Sequence, residues 1–139
     1  MMNTSYVHNA YMTTGINNLS PLDLIIKLYD GAINFLTKAA NAINNNDSAT
    51  KLNYINKTRA IIEELLSSLR IEEGGEVAQN LQDLYTYMLI ELAKTNSSND
   101  SDKLYHIQDL LKTLKSAWQE VRLTVPQSEL TRERVYKTN

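Results

Sequence analysis

The chain has no cysteine, one tryptophan, one phenylalanine, two histidines, two prolines and four glycines in 139 residues. Without cysteine there is no disulfide framework, no thiolate zinc site and no cysteine nucleophile, and the composition fits a reducing compartment. Charge is missing from one end. Residues 1–22 contain no Asp, Glu, Lys or Arg. That leader lacks the basic n-region of a secretory signal, and Asn3, His8, Asn9, Asn17 and Asn18 interrupt any apolar h-region. No run approaches the roughly 18 apolar residues that a membrane span needs. The expectation is a cytoplasmic protein, in the bacterial cytosol, that does not insert into membranes.

Basic charge is also scarce. From Asp23 to Val121 the chain holds 14 acidic and 10 basic residues, net −4, while the stretch from Arg122 onward holds four basic and two acidic, net +2. No basic stripe runs through the body, so nucleic acid is not an expected partner. Catalytic parts are missing as well. The Glu-x-x-His pairs of a di-iron bundle do not occur, no Gly-rich phosphate loop follows a strand, and no serine has an evident base partner. His106 falls opposite the apolar stripe of its helix, as an exposed histidine would. A phosphotransfer bundle would present such a residue, but the neighbourhood Lys103-Leu104-Tyr105-His106-Ile107 lacks the usual lysine-glycine follow-up. His8 has no nearby acid to make it a ligand or base. The chain reads as a non-enzyme without metal or cofactor.

What is present is helical periodicity. Ser20-Pro21-Leu22-Asp23 combines a cap, a proline at the first helical position and a capping-box acid. The helix it starts runs to about Ile43 and stops in Asn44-Asn45-Asn46-Asp47-Ser48. A second spans about Thr50 to Ile71 and ends at Gly74-Gly75, where glycine can take the left-handed conformation. A third spans about Glu76 to Asn96, with Asn96 as its cap, and Ser97-Ser98-Asn99-Asp100 closes it. A fourth spans about Asp102 to Leu123, and Pro126 prevents its simple continuation. Four such helices with short polar connections predict an all-α, antiparallel up-down four-helix bundle. The predicted organisation is one domain: a leader over 1–19, the bundle over 20–123 and a flexible tail over 124–139.

The apolar arcs carry the functional signal. At about 100° per residue, the first helix places Leu24, Ile25, Leu28, Ala32, Phe35, Leu36 and Ala39 on one stripe. Ile26, Tyr29 and Ile33 widen it to roughly 200°. The third helix points Val77, Leu81, Leu84, Tyr85, Met88 and Leu92 inward and leaves Tyr87, Leu89 and Ile90 outside. The fourth carries Leu104, Ile107, Leu111, Leu114 and Trp118 as core, with Leu110, Ala117 and Val121 at the edge. A core-facing stripe needs only a little over 100°. The surplus predicts a cover: the leader, a second copy or a partner helix. Asn80, mid-helix beside the stripe, is expected to need a hydrogen-bond partner. In the leader, Tyr6, Val7, Ala10, Tyr11 and Ile16 have weak helical spacing, too apolar for a solvated tail and too short to fold alone.

Several motifs occur in one order over about residues 6–121. They are Tyr11, Ile16 and Asn18-Leu19-Ser20-Pro21; Leu28-Tyr29-Asp30-Gly31-Ala32 with Phe35-Leu36 and Ala39; and Ile61 to Leu69 running on to Gly75. Asn80-Leu81, Leu84-Tyr85 with Tyr87-Met88, Asn96, and Leu110-Leu111 with Trp118 complete the set. This pattern resembles the flagellin-specific export chaperones, the FliS family. It departs at Asn18-Leu19, where the family has Thr-Ala, and at Thr86-Tyr87, where it has Asp-Tyr; both bear on partner preference. The resemblance implies a cytosolic flagellar chaperone that binds the C-terminal segment of flagellin, disordered in the monomer and helical in the filament. It implies that this prevents premature polymerisation and keeps the client competent for the flagellar type III apparatus, whose export gate is a further partner. The residue-level expectation is an apolar groove lined by Ile26, Tyr29, Ile33, Tyr85, Met88 and Leu89, with Tyr11, Ile16 and Leu19 as a reversible cover. The alternative is a structural bundle that uses its surplus surface for homodimerisation.

Overall fold

Ser20 starts the first helix as expected. In the computed structural model, which describes residues 20–124, its hydroxyl accepts from the Asp23 amide at 3.2 Å and donates to Asp23 Oδ2 at 2.8 Å. Helix α1, Pro21–Asn44, follows with proline in its first turn. Its exit uses asparagine in glycine's place. Asn46 takes φ 55°, the Asp47 amide donates to the Ala42 carbonyl at 2.9 Å, and the Asn46 amide donates to Ile43 at 3.1 Å. That pair of bonds is a Schellman motif. Asp47 then caps α2, Ser48–Ser67, by accepting from the Thr50 amide at 3.1 Å and the Thr50 hydroxyl at 2.6 Å. One residue thus closes one helix and opens the next, and the Thr50 hydroxyl is the main reason the Asp47 carboxyl sits below its ordinary pKa.

Helix α2 stops at Ser67 rather than near Ile71. The Ser67 hydroxyl donates to the Glu64 carbonyl at 3.2 Å, the Ser68 amide donates to the same carbonyl at 3.1 Å, and the Ser68 hydroxyl reaches Glu64 Oε2 at 3.1 Å. Serine side chains compete for the last backbone groups and end the helix, while Leu69 continues into the core. Helix α3, Ile71–Lys94, begins with one turn whose Gly74 amide donates to Arg70, then breaks at Gly75, which takes φ 58° and ψ −136°. The glycine break is where the sequence puts it; the single turn before it was expected to belong to the preceding helix. Thr95, not Asn96, is the C-cap of α3. Helix α4 is Ser101–Thr124.

Cross-helix pairs show that neighbours run antiparallel. Between α1 and α4, Asp23 meets Arg122 (2.6 Å), Asp30 meets Lys115, and the Gln108 side-chain amide donates to the Ile33 carbonyl (2.9 Å) and the Thr37 hydroxyl (2.7 Å). Between α1 and α2, Phe35 packs on Tyr54 with ring centroids 5.7 Å apart. Lys51 joins α2 to the end of α3, and Glu91 and Lys103 join α3 to α4. Helix α1 packs broadly on both α2 and α4, whereas α3 and α4 meet much more sparsely.

One core runs through all four helices, including Leu22, Leu36, Ile55, Ile62, Leu65, Leu92, Leu104 and Ile107. Val77, expected inward, is exposed; Ala78 takes the buried position in the first turn after the Gly75 break. Asn80, expected to need a hydrogen-bond partner, is exposed. The predicted leader and tail, with Tyr11, Ile16 and Leu19, lie outside the described residues.

Candidate functional site

The aromatic residues that the sequence assigned to a groove converge inside the bundle. Tyr29 of α1 and Tyr85 of α3 share a hydroxyl–hydroxyl hydrogen bond, and the Trp118 indole of α4 donates to the Tyr29 hydroxyl at 3.1 Å. Three helices are thereby tied by one polar chain, with both tyrosines fully buried and Trp118 nearly so. Burying such rings is favourable only when each polar end finds a partner.

Ile26 and Met88 are buried in the same core, and Ile33 and Leu89 are partly buried against it. Four of the six predicted groove residues are therefore interior in this structure, and they form no open channel. The physical reason lies in α1. Its broad arc serves two neighbours at once, with Gly31, Phe35 and Lys38 toward α2 and Asp23, Asp30 and Ile33 toward α4. Helix α3 is different: Tyr87 is 41% and Ile90 52% exposed, as its outlying positions suggested.

The ends of this layer are fixed electrostatically. Asp23 is held below the ordinary carboxylate pKa, first by its hydrogen bond from Arg122 and also by Ser20, against a smaller opposing effect of burial. Glu91 is likewise lowered, mainly by Lys94 (2.9 Å) and then by Lys103 (3.3 Å). His106 is exposed, with its ring edge-on to Tyr87 at 6.0 Å. Among the described residues no group of three or more His, Cys, Asp or Glu could hold a metal, and no helix is long and apolar enough to cross a membrane.

Sequence reasoning missed Lys51 and Gln108, both buried polar residues. Lys51 Nζ donates to the Thr95 carbonyl (3.1 Å) and Asn99 Oδ1 (2.9 Å), with the Asn96 carbonyl at 3.5 Å. No local signal marks a lysine for that place, since its partners lie more than forty residues away. The aromatic chain was legible in part, because Tyr85 and Trp118 are spaced inward and each requires a polar partner, whereas Tyr29 falls in the widened edge of its stripe.

A family model described as "Flagellar protein FliS" matches residues 2–125. The chain belongs to the FliS family. It is 36% identical over 120 residues to the flagellar secretion chaperone FliS of Campylobacter jejuni, covering 86% of this chain and 94% of that one. It is 33% identical over 109 residues to the FliS of Salmonella typhimurium, covering 78% and 81%. The FliS of Bacillus subtilis is 28% identical over 113 residues, covering 81% and 84%. A solved bacterial flagellar chaperone shares the fold with a TM-score of 0.72 over 88% of this chain and all of its own, at 18% identity. FliS proteins are chaperones and not enzymes, and this chain is one of them. The bundle thus stands on the geometry, and the chaperone class on the family.

Proposed function

We propose that this FliS-family chain is a cytosolic chaperone that binds the disordered C-terminal segment of flagellin along its apolar helix faces. Holding that segment prevents premature polymerisation and keeps flagellin competent for the type III export apparatus, where the gate receives the complex. The observation that carries the reading is the Tyr29–Tyr85–Trp118 layer, which joins α1, α3 and α4 in a bundle whose seam between α3 and α4 has little direct contact. An amphipathic segment entering that seam would find Ile26, Tyr29, Ile33, Tyr85, Met88 and Leu89 along its path. Ordering the segment costs about 2–5 kcal/mol, and burial of two or three large apolar side chains at about 1.5–3 kcal/mol each offsets this.

Because four of those residues are interior, the helices must part for the segment to reach them. The leader, through Tyr11, Ile16 and Leu19, is the proposed cover. A cover that competes for the seam lowers apparent affinity by the fraction of time it occupies it. Calorimetry with a flagellin C-terminal peptide tests both parts. Ile33→Asp places a charge at the partly buried rim and should abolish detectable binding, and unchanged affinity would remove Ile33 from the groove. Deleting residues 1–18 should tighten binding; weaker binding would make the leader a direct contact instead.

A further inference from the structure

Helix α3 carries large apolar side chains outside its core stripe. Its core stripe is Leu81, Tyr85, Met88 and Leu92. At about 100° per residue, Ile90, Asp83 and Glu76 fall on the opposite pole, with Tyr87 beside them. A single exposed apolar residue is unremarkable in a soluble protein. Here Tyr87 and Ile90 join Leu66 of α2, together with Gln82, Asp83 and Thr86, to line a depression of about 480 Å³. That volume lies within the roughly 300–1,000 Å³ of ligand clefts. The depression is open along its length, which suits the ridge of a docking helix better than an enclosed small molecule.

Charge selects the occupant. Glu63 pairs with Arg59, Glu73 with Arg70, and Lys94, one turn beyond Ile90 on the same pole, is held by Glu91. Among the described residues, Asp83 and Glu76 enter no ion pair. The apolar depression therefore has a carboxylate within it and a second two turns away along the pole, both open to a cation. We propose that this face of α3 is a docking site, separate from the flagellin seam, for a helical segment of another protein whose apolar anchors are flanked by lysine or arginine. A second copy of this chain fits poorly. A two-fold contact lays the same patch on itself, which sets Asp83 and Glu76 against like charges. The site is on the pole of α3, away from the buried Tyr29–Tyr85 layer, so occupation of one leaves the other accessible.

The test uses the full chain, isotope-labelled for NMR, and two synthetic amphipathic helical peptides that share leucine anchors and differ only in lysine or glutamate flanks. The lysine peptide should perturb resonances centred on Leu66, Thr86, Tyr87 and Ile90, and the glutamate peptide should not. Ile90→Lys, at a half-exposed position that leaves the core intact, should weaken the lysine peptide about tenfold or more, from the loss of one apolar anchor. The same variant should bind a flagellin C-terminal peptide as the wild type does. Asp83→Asn should weaken the lysine peptide at low salt and have less effect at high salt, where exposed charges are screened. Equal binding of both peptides, perturbations centred elsewhere, or an unaffected Ile90→Lys variant would overturn the proposal. Loss of flagellin-peptide binding in Ile90→Lys would overturn the separation of the two sites. Dimerisation abolished by Ile90→Lys in sedimentation would assign the face to self-association instead.

Discussion

Replacing Lys51 with methionine isolates a single interaction that the bundle depends on. Lys51 has only 6% of its surface exposed, near the start of α2. Its ammonium crosses to the end of α3, donating to the Thr95 carbonyl at 3.1 Å and to Asn99 Oδ1 at 2.9 Å. The α1–α2 and α3–α4 connections are thereby joined at one end of the molecule. Methionine keeps most of the stem and removes the charge. Hydrogen bonds with a charged partner are worth about 1.5–3 kcal/mol each, and a cation at a helix C-terminus adds about 0.3–1 kcal/mol. Against this, methionine escapes the desolvation that a buried ammonium suffers. The balance is a loss of about 2–3 kcal/mol. In urea followed by helical circular dichroism, the midpoint should fall by about 1 M with an unchanged slope. The melting temperature should fall by about 10 °C. Lys38→Met is the control: Lys38 is exposed, and its Nζ sits 5.3 Å from the Tyr54 ring centroid, an arrangement worth about 0.5–1 kcal/mol. A Lys51→Met variant within 0.5 kcal/mol of wild type, roughly the range of ordinary surface substitutions, would refute the reasoning.

Arg122→Ala should cost about 1 kcal/mol at pH 7, the upper range for a partly exposed pair. Asp23 has its folded pKa below the unfolded value, so the pair stabilises above about pH 4 and that stability is lost as pH falls through the folded value. The difference between wild type and Arg122→Ala should therefore shrink in acid melts; a gap that widens contradicts the pairing. In a double-mutant cycle, Tyr29→Phe and Tyr85→Phe should couple by about 0.5–1.5 kcal/mol, and strict additivity would deny the bond between their hydroxyls. Gly75→Ala should cost about 1–3 kcal/mol, although no atom lies within 4 Å of an added Cβ; the cost is backbone strain at φ 58°, and a neutral substitution would show that the break relaxes.

Much of the fold was legible because its signals are local. Ser20, Pro21 and Asp23 announce α1 through a cap that forms within one turn, and Gly75 breaks α3 through its own backbone. The early end of α2 was less visible, since it depends on Ser67 and Ser68 competing for Glu64 rather than on glycine. The site was only partly legible, for a different reason. An apolar arc on a single helix shows how much surface must be covered but not by what. On α1 Ile26 and Tyr29 are buried and Ile33 partly so, with Tyr29 bonded across the core to Tyr85 of α3 and to Trp118 of α4, whereas on α3 Tyr87 and Ile90 stay exposed. Lys51 was invisible because its acceptors come from another connection.

The central claim is that the chain holds the polymerising end of flagellin, and seeded flagellin polymerisation followed by light scattering tests it most directly. The full chain, added in stoichiometric amount to monomeric flagellin, should suppress filament growth, and flagellin lacking its C-terminal segment should not bind it. Filament growth at an undiminished rate in the presence of saturating chain, with no complex on sedimentation, would contradict the account.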